Sequence, residues 1–159
     1  MINNNNNGKV VITYGTFDLF HVGHLRLLQR LSLLGEKLIV GVSTDDFNLK
    51  KGKSSVIPYA HRAEIVGSLA CVDSIFEEED WGQKADDIIK YDVDIFAMGN
   101  DWVGKFDGLK QYCDVRYLER TENISSTDLK KKLQEEFDIK PEDMKRQFDI
   151  LRLILSEFI

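Results

Sequence analysis

What most narrows the fold is an alternation of two periodicities along the chain. Short apolar runs of strand length, at Lys9–Tyr14, Lys37–Ser43, Val72–Phe76, Asp94–Met98 and Val115–Leu118, are separated by segments of helical spacing. After the first run, Val22, Leu25, Leu28 and Leu31 form a stripe that Leu27 and Leu34 widen and Gly35 closes, which predicts an amphipathic helix over Val22–Leu34. Pro58 opens a second helix ending near Ala70, Gln83–Tyr91 is a third, and Ser126–Phe137 is the last of the domain. A shorter helical stretch is expected around Lys105–Tyr112, and the lysine- and serine-rich segment between Ser43 and Pro58 reads as a polar loop. Strands joined through helices lie parallel, with helices covering both faces of the sheet. The expectation is an α/β fold, Rossmann-like and three-layered, with a five-stranded parallel sheet and a C-terminal helical extension. Ligands of such sheets bind at the carboxyl ends of the strands, near the reversal of strand order.

The length of 159 residues suits one domain, placed at 9–137. The Asn-rich residues 1–8 are expected to form a disordered tail; they carry neither the basic flank nor the apolar stretch of a signal peptide. In the extension, 138–159, Pro141 starts a helix whose Met144, Phe148, Leu151, Leu155 and Phe158 share one face, expected to pack on the domain, with a dimer contact or a link to another domain as the lesser alternative. A net charge of −6 without a basic block argues against nucleic acid as a partner. No apolar run reaches the roughly 18 residues that span a membrane, so no membrane partner is expected. Cys71 and Cys113 lack CxxC spacing and suit a reducing compartment, so the expected location is cytoplasmic.

Chemistry concentrates in Gly15-Thr-Phe-Asp-Leu-Phe-His21-Val-Gly-His24, between the first strand and the first helix. A helix N-terminus offers unpaired N–H groups and partial positive charge to a polyphosphate. His21 and His24, three residues apart, can reach one anion, and Gly23 lets the backbone approach it closely. Imidazole N–H groups can stabilise charge developing on a phosphate and its leaving group. Asp18, on the same loop, has no evident core role. A second polar cluster, Arg120-Thr-Glu-Asn-Ile-Ser-Ser-Thr127, precedes the last helix: its hydroxyls and N–H groups suit phosphates, and Arg120 adds a fork of donors. Taken alone, a helix cap with a surface arginine explains that cluster better.

The spelling GTFDLFHVGH resembles the first signature of the HxGH nucleotidyltransferases, specifically their cytidylyltransferase branch, and RTENISST resembles a second signature, RTEGISTT. The resemblance runs without gaps from about Val10 to Leu133, through STDDFNLKKGK, His61–Arg62, CVDSI, DWGQKADDII and FAMGNDWVGKFD, and is strongest to the glycerol-3-phosphate cytidylyltransferase family. It implies transfer of CMP from CTP to a small phosphorylated alcohol, foremost sn-glycerol 3-phosphate, with release of pyrophosphate. It implies Mg²⁺ as cofactor, held mainly by the triphosphate with no metal ligands on the protein, and a homodimer serving wall or capsule glycopolymer synthesis. The implied catalytic residues are His21, His24, Lys53 and Arg120. The implied CTP site comprises Thr16, Phe17, His21, Gly23, His24, Lys53, Asp101 (near the ribose), Arg120, Thr121, Ile124, Ser125, Ser126 and Thr127. Lys51 and Lys84 are implied contacts of the acceptor phosphate, although lone loop lysines are ordinarily solvated. Trp102 is expected to pack.

Three positions depart from the family pattern. Ala70 stands where the family carries an active-site arginine, for which Arg62 is a candidate replacement, with Asp18 beside the acceptor. Asn123 replaces a glycine, and Asn100 replaces one of a pair of aspartates. These departures leave two alternatives: another phospho-alcohol or phosphonate acceptor such as phosphoethanolamine, or a nucleotide-binding subunit without activity. ATP in place of CTP is a further rival, because the ISST run is shared more widely than GTFDLFH.

Overall fold

A computed structural model describes residues 8–119, 121 and 124–137. Arg120, Asn123, residues 1–7 of the tail and the extension 138–159 lie outside the described residues. Gly8, assigned to the tail, donates its N–H to Glu36 at 2.6 Å.

Five parallel strands, β1 (Val10–Gly15), β2 (Lys37–Ser43), β3 (Ser74–Glu78), β4 (Ile95–Gly99) and β5 (Asp114–Leu118), form one sheet in the order β3-β2-β1-β4-β5. The order reverses between β1 and β4, which opens a crevice at their carboxyl ends. Residues of one strand alternate between two cores. Val11, Leu38, Val40, Val42, Ile95 and Ala97 pack with Leu28 and Leu31 of α1 (Val22–Ser32) and, after α2 (Asp45–Lys50) in chain order, with Val66 of α3 (Tyr59–Gly67). Ile12, Tyr14, Ile39, Phe96 and Met98 face the other way, against Ile88 of α4 (Gln83–Lys90). The central strands β1, β2 and β4 are thus buried on both faces, which is why their runs read as nearly continuous apolar segments, whereas the edge strands β3 and β5 are only partly buried. On the second face Tyr14 lies over Gly41, where a Cβ would come within 2.5 Å of the ring.

Three elements differ from expectation. The loop after β2 contains α2, capped by Thr44, whose Oγ1 accepts from the Phe47 N–H at 3.2 Å. Strand β3 begins two residues later than Val72 and ends at Glu78. Its entry is fixed by Asp73, which exchanges hydrogen bonds with the Leu38 backbone: N–H to carbonyl at 2.9 Å, and carboxylate from N–H at 2.7 Å. The stretch after β4 forms two 3₁₀ turns, Asn100–Trp102 and Asp107–Gln111. By internal contacts the chain divides after Ser126, ahead of the domain limit expected at residue 137. The second unit contains most of α5 (Ser126–Phe137), where Lys131 and Glu135 pair at 3.8 Å. Among the described residues no helix is long and apolar enough to cross a membrane.

Candidate active site at the sheet's switch point

The loop from Gly15 to His21 bends sharply where β1 ends. Phe17 and Leu19 hold φ of 52° and 47°, a left-handed conformation costly for side chains of this size. Three polar groups hold the loop. Asp18, 3% exposed, accepts from the Val56 and Ile57 N–H groups, each at 2.9 Å. Arg62, 1% exposed, donates Nε to the Ile57 carbonyl at 2.8 Å, one Nη to the Thr16 carbonyl and the other to Asp45 at 2.7 Å. Asn48, fully buried, accepts from Thr16 Oγ1 and donates to Ser55 Oγ, both at 2.9 Å, while its backbone carbonyl accepts the N–H groups of Lys51 and Lys53. The turn after β1 and the lysine loop are therefore tied together by hydrogen bonds.

His21 caps α1 with its side chain: Nδ1 accepts the Gly23 N–H at 3.1 Å. A neutral imidazole that accepts at Nδ1 carries its proton on Nε2, which in His21 lies toward Ser126. Ser126 Oγ lies 3.5 Å from that nitrogen and donates to the Asp18 carbonyl at 2.8 Å, joining the two signature segments. His24 stacks on His21, with ring centres 3.9 Å apart and planes 20° off parallel. Phe17 and Phe20 support His24, each with its ring centre 5.5 Å away. A Cβ on residue 23 would stand 2.8 Å from the His21 ring and 3.0 Å from Ile124, so glycine is required there for the ring to fold back.

Beside this helix start, a cavity of about 190 Å³ opens at the carboxyl ends of β1 to β4. Tyr14, Gly15, Thr16, Ser43, Lys51, Lys53, Glu78, Trp81, Lys84, Met98 and Trp102 line it. Lys84 is buried, not solvated: its Nζ lies 2.6 Å from Glu78 Oε1 and 4.5 Å from the Tyr14 ring centre. Lys51 Nζ donates to Ser43 Oγ at 2.9 Å and sits 4.2 Å from the Phe47 ring centre. Burial pushes the Lys51 ammonium below its usual range, with Lys53 and Lys84 acting the same way and Glu78 opposing. Tyr14 donates its hydroxyl to Asp87 at 3.0 Å, and burial with that carboxylate drives its pKa far upward, so it stays a neutral phenol. The cavity is thus cationic and aromatic, suited to phosphate. Among the described residues no cluster of three or more His, Cys, Asp or Glu side chains could hold a metal.

The structure corrects two expectations. Asp18 and Arg62 do not face an acceptor: the Asp18 carboxylate and the Arg62 guanidinium brace loops inside the protein. Arg62 consequently offers no replacement for an arginine at position 70. Ala70 itself is exposed and precedes β3 at its amino end. That is roughly 13 Å of strand away from Glu78 at 3.3 Å per residue, so this departure removes no cation from the cavity. The other positions distribute as follows. Thr16, Lys51, Lys53 and Lys84 converge on the cavity, whereas His21, His24, Gly23, Ile124 and Ser126 gather at the start of α1. Ser125 directly precedes α5. Phe17 is buried in the core. Asp101 is exposed in the first 3₁₀ turn after β4, and Trp102 packs on Trp81 and Phe106. Thr121 lines a separate groove with Arg26, Gln29, Arg30 and Leu33, and Thr127 belongs to the second unit.

Glu78, Ser43, Asn48 and Asp45 escaped the sequence reading. Only Asp45 had a usable signal, in the Thr44-Asp-Asp-Phe helix start. Replacing Asn48 with alanine leaves the Thr16 and Ser55 hydroxyls without these partners. The expected cost is about 1–3 kcal/mol of stability, read as a lower denaturant midpoint at unchanged slope.

Comparison with known proteins agrees with this geometry. A family model described as cytidylyltransferase-like matches residues 12–132. A glycerol-3-phosphate cytidylyltransferase of Bacillus spizizenii is 55% identical over 123 residues, covering 77% of this chain and 95% of that protein. One of Staphylococcus aureus is 52% identical over 125 residues, covering 79% and 95%. In fold, the chain matches a lipopolysaccharide core biosynthesis protein of Thermoplasma volcanium with a TM-score of 0.63 at 23% identity, over 72% of this chain and 98% of that one. A histidine-capped helix start and a cationic cavity thus meet at the switch point of a parallel sheet, within a sequence more than half identical to those enzymes: the chain belongs to the cytidylyltransferase-like family, in its glycerol-3-phosphate cytidylyltransferase branch.

Proposed function

We propose that the protein transfers CMP from CTP to sn-glycerol 3-phosphate, giving CDP-glycerol and pyrophosphate. An acceptor phosphate oxygen attacks the α-phosphorus in line. The new P–O bond forms as the bond from the α-phosphorus to the bridging oxygen breaks, and pyrophosphate carries that electron pair away. The nucleophile is already an anion at neutral pH, so no general base is needed; positioning and charge stabilisation supply the catalysis. The observation that carries this reading is the cavity where Lys51, Lys53 and Lys84 converge beside the His21–His24 stack. The lysines suit the acceptor phosphate and the triphosphate, while the imidazoles suit charge developing on the α-phosphate and the leaving group. The triphosphate would bring Mg²⁺ with it as part of the substrate, and that ion would neutralise charge on the phosphate oxygens. The described residues supply no cage for it. Use of CTP and the free Cys71 and Cys113 suit the cytoplasm; a homodimer rests on family resemblance.

A second reading, a bulkier phospho-alcohol acceptor, draws on one observation. An apolar hollow of about 500 Å³, walled by Trp81, Trp102, Phe106 and Leu109, shares Lys84 with the cavity and exceeds what a three-carbon alcohol fills. The test is pyrophosphate release with CTP or ATP, Mg²⁺ and a panel of phosphorylated alcohols that includes phosphoethanolamine. Glycerol 3-phosphate with CTP is expected to give the highest kcat/KM. Preference for an acceptor larger than glycerol 3-phosphate favours the second reading, and CTP binding without release from any acceptor indicates an inactive subunit.

A further inference from the structure

Glu78 lies at the centre of the cavity in a position no phosphate-binding logic would choose. It is 3% exposed, at the last residue of β3, and lines the same cavity as three lysines. Its two oxygens are engaged differently. Oε1 is 2.6 Å from Lys84 Nζ, a direct charged hydrogen bond. Oε2 accepts from Ser43 Oγ, and it reaches Lys51 only loosely, with Nζ 3.7 Å away and bonded to the Ser43 hydroxyl instead. Buried like charges repel strongly in a site of low polarity, so two ammonium groups this close need an anion between them when the site is empty.

We propose that Glu78 is a positioning residue that stands in for the acceptor phosphate, holding Lys84 fixed while leaving Lys51 free to transfer from Ser43 onto the incoming ligand. The inference rests on the reading that this cavity receives the acceptor's phosphate. Lys84, gripped directly and walled by Tyr14 and Trp81, presents a preset charge. Lys51, held through a neutral hydroxyl, changes partner at little cost. A carboxylate here also rejects a ligand that brings no negative charge of its own, because Glu78 already neutralises one of the two lysines.

The pH behaviour follows. Lys51 faces Glu78 from β3, Ser43 from β2, Lys84 from α4 and Lys53 from its own loop, with the Tyr14 phenol hydrogen-bonded to the Asp87 carboxylate behind. Burial lowers its pKa, Lys53 and Lys84 lower it further, and Glu78 raises it. Glu78→Gln removes the raising influence, so Lys51 loses its proton at lower pH and the alkaline limb of kcat/KM for the acceptor moves to lower pH.

The experiment compares the full chain with Glu78→Gln, Glu78→Asp, Lys51→Met and Lys84→Met, using glycerol 3-phosphate and CTP. Glu78→Gln is expected to raise the acceptor KM tenfold or more with the CTP KM within twofold, and to shift the alkaline limb. Glu78→Asp, which keeps the charge, restores much of the limb. Calorimetric titration of glycerol 3-phosphate gives the same ranking without turnover. A folded Glu78→Gln protein with an unmoved limb and unmoved acceptor affinity, while both lysine variants lose affinity, overturns the inference alone. Unchanged acceptor affinity in both lysine variants, or no glycerol 3-phosphate binding by the parent, overturns the assignment of the cavity and the inference with it. Should Glu78→Gln fail to fold, Ser43→Ala removes only the hydroxyl that parks Lys51: a severalfold change in acceptor KM with CTP KM unmoved supports the inference, and an unchanged acceptor KM overturns it.

Discussion

Replacing His24 with alanine is expected to lower kcat by about 10²–10³-fold, the usual cost of deleting one preorganised donor at a developing charge. His24 is held by the stacked His21 ring and by Phe17 and Phe20, so its imidazole is set before substrate arrives. Because His21 is fixed by the Gly23 N–H, the pair acts as one preassembled donor set at a helix start whose own N–H groups add to the field. The substitution also removes a partly buried ring, so some stability is lost as well. The two effects separate experimentally: kcat/KM is measured by pyrophosphate release at a temperature where circular dichroism shows the variant fully folded. A folded variant retaining turnover within tenfold of the parent would remove the imidazole pair from the mechanism.

The sheet was legible because its signal is redundant: the central strands β1, β2 and β4 are apolar on both faces, and the first three connections each carry a helix. The helix start at His21–His24 was legible for a similar reason, since capping, glycine and histidine spacing coincide within ten residues. What stayed hidden is charge that folding buries. Glu77 and Glu78 disfavour a strand taken alone, so β3 reads as ending at Phe76; Lys84, Ser43 and Lys51 supply the partners that let Glu78 complete it. Lysine and arginine are rarely buried, so Lys84 reads as solvated and Arg62 as available to a ligand. Their partners, Glu78 and Asp45, lie 6 and 17 residues away, and neither pairing leaves a mark in local periodicity. Helix α2 was missed because six residues are too few to show a stripe, although Thr44 and its two following aspartates mark a helix start.

Arg62→Met is expected to destabilise the fold by about 3 kcal/mol, in the range for breaking a buried charged network by removing one partner. For a chain of this size that corresponds to a Tm lower by roughly ten degrees. The cost arises chiefly at the Thr16 and Ile57 carbonyls, which lose charged donors, while half-exposed Asp45 can turn to water. Methionine keeps most of the stem's packing, so the loss isolates the fork of donors. Lysine rescues poorly because one ammonium cannot reach three acceptors in that planar geometry. The site suffers too, since Thr16 sits between Gly15 and the left-handed Phe17 and lines the cavity. Activity is therefore expected to fall even below the new Tm. Acid titration supplies an independent check. Burial tends to raise the Asp45 pKa, but the Tyr59 N–H and Arg62 outweigh it, and the carboxyl lies below its usual value. A carboxyl depressed on folding contributes stability above its unfolded pKa and loses it as pH falls through the folded one. Arg62→Met removes part of that depression, so stability in the variant should fall less steeply below about pH 4 than in the parent. A parent and variant with parallel acid limbs and equal Tm would show that the guanidinium does not brace the loop.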